Sequence, residues 1–115
     1  MPTVVEARDR ARIVDLAQAM LDGAVGIIEG SRRLNDLRGA LGIDHLDDDF
    51  VGFLAIESET DHLPVGDVRR LWNREALVEK DRQVDAAERH YRDRAFEDCR
   101  KLMARFGLSG RDHAS

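Results

Sequence analysis

The feature that most constrains the fold is a long stretch near the C-terminus without a helix-breaking residue. No Pro or Gly occurs from Arg74 to Phe106, and apolar side chains recur there at three- and four-residue steps, as on one face of an α-helix. These side chains are Val84, Ala87, Tyr91, Ala95, Cys99, Leu102 and Phe106. We therefore predict one long helix, about 40–50 Å in length at 1.5 Å per residue, with Asn73 as its N-cap. The polar gap between Leu77 and Val84 leaves open a break near Asp81.

A shorter amphipathic helix is predicted at the N-terminus. Thr3 followed by Glu6 matches a capping box, which marks a helix start at Val4. An apolar stripe at helical spacing follows, and it consists of Ile13, Leu16, Ala17, Met20 and Leu21. The pair Asp22-Gly23 is typical of a helix end, so this helix is expected to stop there.

A second amphipathic helix is predicted directly after the first. Its apolar face consists of Ile27, Gly30, Leu34, Leu37 and Leu41, and Gly42 is expected to end it. Gly26 and Gly30 each cost about 1 kcal/mol relative to Ala inside a helix. The expected compensation is the close approach of a neighbouring helix backbone.

The segment between the second helix and the last one is less well determined. The acids Asp47–Asp49 precede an apolar run over 50–56. Acids at a helix start cap free N–H groups and interact favourably with the helix dipole, so a short helix beginning at the last of these acids is consistent with the pattern. A buried strand is equally consistent with a run this short. Residues 57–63 are predicted to form a polar loop, and Pro64 can begin another short helix that ends near Trp72.

Length and composition place these elements in one domain. The chain has 115 residues, 43% apolar and 36% charged, which is typical of an ordinary folded domain. Cys99 is its single cysteine, which excludes an intramolecular disulfide, and no apolar run is long enough for a membrane span or placed as a secretory signal. We predict a cytoplasmic, all-α protein: a helical hairpin plus one or two short helices and a long C-terminal helix. The helical domain covers 1–106, and residues 107–115 form a mobile tail after the cap at Gly107.

One internal stretch accounts for the negative charge of the whole chain. Between Gly39 and Val68 there are eight acidic residues and no Lys or Arg. These acids are Asp44, Asp47, Asp48, Asp49, Glu57, Glu59, Asp61 and Asp67. The remaining 15 acidic residues are outnumbered by 18 basic ones, although the net charge is −5. An acidic face over residues 44–67 predicts a protein-binding module for a basic partner, because such a face steers the association of oppositely charged molecules.

The same stretch supports a second hypothesis, a small enzyme or a divalent-metal-binding protein. Clustered carboxylates suit Mg²⁺, Mn²⁺ or Ca²⁺, and a histidine can act as a general base. The candidate metal ligands are Glu57, Glu59, Asp61, His62 and His45. Their spacing does not match an EF-hand loop, and the single Glu59–His62 motif is not repeated as a di-iron bundle requires. Because no nucleophile elbow occurs either, we name no catalytic residue and favour the binding protein.

Several partners and cofactors are excluded by the same residues. Neither a P-loop nor a dinucleotide-binding glycine motif occurs, so no cofactor is predicted. Gly39–Gly42 is similar to the turn of a helix-turn-helix motif, but the helix after it begins with acids and carries no base. Phosphates would repel such a reading helix. We therefore predict neither a nucleic-acid partner nor a membrane partner.

The length of the C-terminal helix is also consistent with a homodimer. A helix of this length exceeds the size of a compact domain with a radius of gyration of about 13 Å, so part of its apolar stripe is available to a second copy. Four aromatic side chains can either anchor such a contact or lie in the monomer core. Their spacing in the sequence does not distinguish between these two arrangements. They are Trp72, Tyr91, Phe96 and Phe106.

Two segments of the chain carry a resemblance to known sequences. The first is Leu21-Asp-Gly-Ala-Val-Gly-Ile-Ile-Glu-Gly-Ser-Arg-Arg-Leu34, and the second runs from Ile56 through Glu-Ser-Glu-Thr-Asp-His-Leu-Pro to Trp72. Together they resemble a group of small bacterial proteins of unknown function, over roughly Val14 to Phe106. The resemblance implies a stand-alone bacterial domain. It implies no activity and no site residue.

Overall fold

The protein folds into helices joined by short connections. The structure, a computed structural model, describes the backbone of residues 3–111 and the side chains of residues 3–107. The helices in this range are α1 (Val4–Leu21), α2 (Ile27–Ala40), α3 (Val51–Thr60), a 3₁₀ helix (Gly66–Leu71) and α4 (Arg74–Arg111). None of the described residues lies in a strand. The predicted all-α class, the hairpin of α1 and α2 and the long C-terminal helix are therefore confirmed.

The ends of α1 follow the local signals in the sequence. The Thr3 hydroxyl accepts a hydrogen bond from the Glu6 N–H at 3.1 Å, as the capping-box pattern predicts. The helix ends at Leu21, and Gly23 follows with a φ of 80°. Because this left-handed conformation is strained for residues with a side chain, the glycine determines where the chain turns into α2.

The α4 helix is longer than predicted. Its start is capped as expected, because the Asn73 side chain accepts a hydrogen bond from the Ala76 N–H at 2.8 Å. The helix is continuous through Asp81, so the break considered there is absent. It also continues past Gly107 to Arg111, so the predicted helix end at Gly107 is wrong. The mobile tail predicted for 107–115 stays a prediction, because residues 112–115 lie outside the described range.

The apolar run over 50–56 is helical, which removes the strand alternative. Helix α3 extends to Thr60, so the loop predicted to begin at Glu57 begins later. The buried Thr60 hydroxyl donates to the Ile56 carbonyl at 2.5 Å, and Arg32 of α2 donates to the Thr60 and Leu63 carbonyls at 2.6 and 3.0 Å. The Arg32 bond to Thr60 satisfies one of the carbonyl groups that the end of α3 otherwise leaves free. The second predicted short helix is the 3₁₀ helix.

The core lies along the C-terminal half of α4. Met20 near the end of α1 contacts Cys99, whereas Arg10 lies over the Phe106 ring, so α1 runs antiparallel to α4. The α4 side chains in the apolar core are Ala95, Cys99, Leu102 and Phe106. No described residue of α4 before Ala95 is buried, and the molecule is elongated, with extents of 53 × 25 × 25 Å. The predicted apolar stripe of α4 therefore faces the core only in the second half of the helix.

The two glycines at the start of α2 have a different role from the predicted one. A Cβ atom at Gly30 would lie 2.3 Å from the Met20 sulfur, and one at Gly26 would lie 3.2 Å from a Glu88 carboxylate oxygen. Both close neighbours are side chains and not a helix backbone, so that part of the prediction is wrong. Gly30 makes room for a buried methionine, and Gly26 makes room for a carboxylate.

Candidate functional site

Three of the eight clustered acids bond to side chains of other helices. Arg105 of α4 donates to Asp47 and Asp49 at 2.8 and 3.0 Å, and Asn35 of α2 donates to Glu57 at 2.7 Å. The hydrogen bond from Arg105 lowers the pKa of Asp47 below its ordinary value. The side chains of Asp47–Asp49 accept no described hydrogen bond from an N–H group of α3, and Asp47 instead accepts one from the Asp49 N–H at 3.0 Å in the turn before the helix. The predicted capping of α3 is therefore wrong, and Asp47 and Asp49 tie this loop to α4.

The other five acids are exposed. They are Asp44, Asp48, Glu59, Asp61 and Asp67. Among the described residues, none of the five forms an ion pair with Lys or Arg. Asp44 and Asp61 each lie beside the next residue in the chain, His45 and His62, at 3.6 and 3.8 Å. The arginines that follow in the sequence do not neutralise these acids, because Arg69 pairs with Asp81 instead.

A groove lies between the end of α3 and the middle of α4. Its volume is about 440 Å³. The side chains that line it are Glu59, Thr60, His62, Leu63, Gln83, Ala86, Ala87, His90 and Tyr91. The structure therefore brings two of the predicted residues, Glu59 and His62, to one concave surface. The other three predicted ligands, Glu57, Asp61 and His45, do not line the groove.

The groove has an apolar floor and no basic side chain of the Lys or Arg type. Leu63 is buried and the small side chain of Ala87 is half-buried, which leaves space between the two helices. Glu59 is exposed at its edge and has no ion pair in the described part of the chain. A concave surface with an apolar floor and a few polar groups is typical of binding sites, and a free carboxylate at its edge suits a cationic ligand.

His90 and Tyr91 are groove residues that the sequence did not reveal. Their rings meet edge to face, with centroids 4.6 Å apart. Both lie in the middle of α4, where the spacing placed Tyr91 on the apolar stripe and gave His90 no distinguishing feature. Only the packing of the α3 end against α4 brings them next to His62.

The metal hypothesis gains no support from these positions. Within residues 3–107, no three side chains of the His, Cys, Asp or Glu type lie close enough together to hold a metal ion. The ligand set of Glu57, Glu59, Asp61, His62 and His45 is not assembled at one point and stays a prediction.

Cys99 has a structural role. Its side chain is fully buried, and its sulfur lies 3.9 Å from the Met20 sulfur. Burial and, to a smaller extent, the charge of the neighbouring Asp98 raise the pKa of the Cys99 thiol to about 12. A thiol with this pKa is not a nucleophile at neutral pH, so Cys99 packs as a small apolar residue.

The fold and the groove define a class of protein, a small all-α domain with a groove beside its longest helix. The chain belongs to the family described as protein of unknown function (DUF2489), whose model matches residues 6–102. This confirms the resemblance to proteins of unknown function. Comparisons with curated proteins and with solved structures found no match. Among the described residues, no helix has the length and apolar character needed to span a bilayer.

Proposed function

We propose that this protein is a binding module that holds a basic segment of a partner protein in the groove between α3 and α4. The single observation that carries the proposal is the lining of this groove, which combines an apolar floor with the free carboxylate of Glu59 and contains no Lys or Arg. A Lys or Arg side chain can place its apolar stem on such a floor and its charge beside the carboxylate.

The surrounding charge supports the same partner. Asp61 is exposed beside the groove, and Asp67 is exposed a few residues further along the chain. Exposed acids without basic partners attract a positively charged molecule over several ångströms, and salt weakens that attraction. Within the acidic stretch over 44–67, this attraction comes from Glu59, Asp61 and Asp67, which belong to the segment that borders the groove. Asp47, Asp49 and Glu57 instead stabilise the fold.

A labelled peptide provides a direct test. The probe is a short peptide of alternating Lys and Leu, and binding is measured by fluorescence anisotropy at low salt. We expect Glu59→Gln to weaken binding about tenfold, because one charge-assisted contact is lost. Ala87→Leu is expected to weaken it similarly by filling the floor.

The matched control is Asp44→Asn, which removes an exposed acid that does not line the groove. We expect this variant to change the affinity less than twofold. Equal losses in the Asp44 and Glu59 variants would show diffuse charge attraction and would refute a specific groove. Circular dichroism confirms that each variant is folded.

A second function, a small enzyme, rests on the imidazoles in the same groove. His62 and His90 both line it beside Glu59, and such groups can carry out proton transfer when they face a substrate. If this alternative involves a divalent metal, the melting temperature rises by several degrees with Mg²⁺, Mn²⁺, Zn²⁺ or Ca²⁺ and falls again with a chelator. Melting temperatures that no metal changes would count against the metal-dependent form.

A further inference from the structure

An apolar patch is exposed where the 3₁₀ helix meets the start of α4. Its four side chains are Val68, Leu71, Trp72 and Val78, which are 43%, 79%, 37% and 56% exposed. Val68 and Leu71 share a face, because a 3₁₀ helix has three residues per turn. The other large apolar side chains exposed in the described range are Val4, Val5 and Leu46, which belong to other parts of the chain. An exposed cluster of this kind marks an interaction surface more often than isolated residues do.

An ion pair and a cation–π contact hold this patch in place. The two terminal guanidinium nitrogens of Arg69 donate to the two carboxylate oxygens of Asp81, which ties the 3₁₀ helix to α4. The Lys80 ammonium lies 5.6 Å from the Trp72 ring centroid, within the range of a cation–π contact. Leu71 is therefore exposed on a segment with a defined position. A preordered surface loses less conformational entropy on binding.

The segment that carries the patch has no net charge. Residues 67–81 contain four acidic and four basic side chains, although the chain has a net charge of −5. The acids are Asp67, Glu75, Glu79 and Asp81, and the bases are Arg69, Arg70, Arg74 and Lys80. Two copies of the chain repel each other where their acidic stretches approach. Contact through the neutral segment that carries the patch adds no such repulsion. A two-fold interface requires a surface that complements itself, which a neutral apolar patch with both signs of charge at its edge provides.

We propose that the Val68–Val78 patch is the contact surface of a homodimer. Two copies related by a two-fold axis bury Leu71 and Trp72 against their equivalents, and Arg70 and Arg74 of one copy lie near Glu75 and Glu79 of the other. This contact leaves the C-terminal half of α4 in the monomer core. A dimer along the whole apolar stripe of α4 would be a different contact. Phe106 is buried and Tyr91 and Phe96 pack against the core, so these side chains are not available to a second copy.

The mass of the full chain in solution tests the dimer. Analytical ultracentrifugation from about 1 to 200 μM is expected to show a rise from the 13.0 kDa monomer to twice that mass. Leu71→Asp is expected to raise the dissociation constant at least tenfold. The control Val5→Asp changes an equally apolar residue that is 61% exposed near the start of α1, and it is expected to leave the constant unchanged.

Trp72 supplies a second readout, because it is the only tryptophan in the chain. On dimerisation its emission is expected to shift to shorter wavelength, and quenching by acrylamide is expected to fall in the same concentration range. A wild-type protein that remains monomeric at 200 μM would overturn the proposal and leave the patch to a different protein. A dimer that Val5→Asp disrupts as strongly as Leu71→Asp would overturn it as well. Neither result bears on the groove, whose peptide binding is measured separately.

Discussion

Asp98 is a charged residue inside the core of this protein. Its side chain is 2% exposed, and one carboxylate oxygen accepts a hydrogen bond from the Arg94 guanidinium at 3.3 Å. The other oxygen has no hydrogen-bond partner, since the Lys101 ammonium is 3.9 Å away. Burial raises the pKa of Asp98 above its ordinary value, and the two basic side chains offset only part of this effect. The ionised form is therefore destabilised by the fold.

Replacing this residue is expected to stabilise the protein in a pH-dependent way. A raised pKa means that the folded state binds the proton more tightly than the unfolded state, so the carboxylate costs stability as the pH rises above about 4. Asp98→Asn removes the charge and keeps the shape. We expect the free energy of unfolding to increase by an amount on the order of 1 kcal/mol at pH 7. This increase should become smaller below pH 4. Thermal melts between pH 3 and pH 8 measure it.

The control for this effect is Asp93→Asn on the same helix. Asp93 is exposed and has no ion pair in the described part of the chain, so its replacement is expected to leave the melting temperature within about a degree at both ends of the pH range. If Asp98→Asn gave the same gain at pH 3 as at pH 7, the gain would not come from the buried charge.

The start of helix α2 depends on a residue from another helix. The N–H groups of Ile27 and Ile28 donate to the two carboxylate oxygens of Glu88 in α4, at 2.7 and 2.8 Å. The N-cap residue Gly26 has no side chain to do this. By spacing alone, Glu88 is expected to pair with Arg92 on the surface of α4. The structure uses it instead to satisfy two free donors at the positive end of a helix.

Removing this carboxylate is expected to weaken the whole fold. Glu88→Gln keeps the size of the side chain but loses the negative charge and one of the two acceptors. We expect the free energy of unfolding to fall by about 1–2 kcal/mol, as for other lost caps. Urea denaturation followed by circular dichroism measures it.

A second glutamate on the same helix supplies the comparison. Glu97 is exposed and its nearest base, Lys101, is 3.9 Å away, so Glu97→Gln is expected to change stability by less than about 0.5 kcal/mol. If the two variants lost equal stability, the contacts of Glu88 with α2 would not be the cause.

As a whole, the molecule is longer than a compact domain of its length. The radius of gyration is 15.2 Å, whereas about 13 Å is typical. The excess comes from the first half of α4, which has no buried side chain before Ala95. Helices are stabilised mainly by packing of an apolar face, so stability is expected to differ along α4.

Hydrogen exchange detects this difference directly. In the Leu71→Asp variant, which is expected to be monomeric, amides of residues 74–86 should exchange at least tenfold faster than those of residues 95–106, because fewer buried contacts oppose local opening. Mass spectrometry of peptides from the two halves of α4 measures the rates. Uniform protection along the helix would contradict the expectation.

Patterns within one helix were predicted best. The caps at Thr3 and Asn73 and the turn at Gly23 are all observed. Two local predictions failed, namely the capping of α3 by the acids before it and the helix end at Gly107. The prediction about the glycines of α2, which involved a neighbouring helix, failed as well. Two of the groove residues, Glu59 and His62, could be predicted from the sequence because they belong to the acidic stretch. His90 could not, because nothing in a helical repeat indicates which exposed histidine a second helix will approach.

By itself, the sequence determined the all-α class, the two amphipathic helices and the start of the long C-terminal helix, since caps, turns and apolar periodicity act between residues three or four apart. Only the tertiary structure decided what the polar side chains do. Arg32, Glu88 and Arg105 bond to groups that are between 28 and 61 residues away in the chain. The physical reason is that such bonds depend on how helices pack against one another, and that packing leaves no periodic trace in the sequence. Only the tertiary structure therefore shows which acids remain without a basic partner.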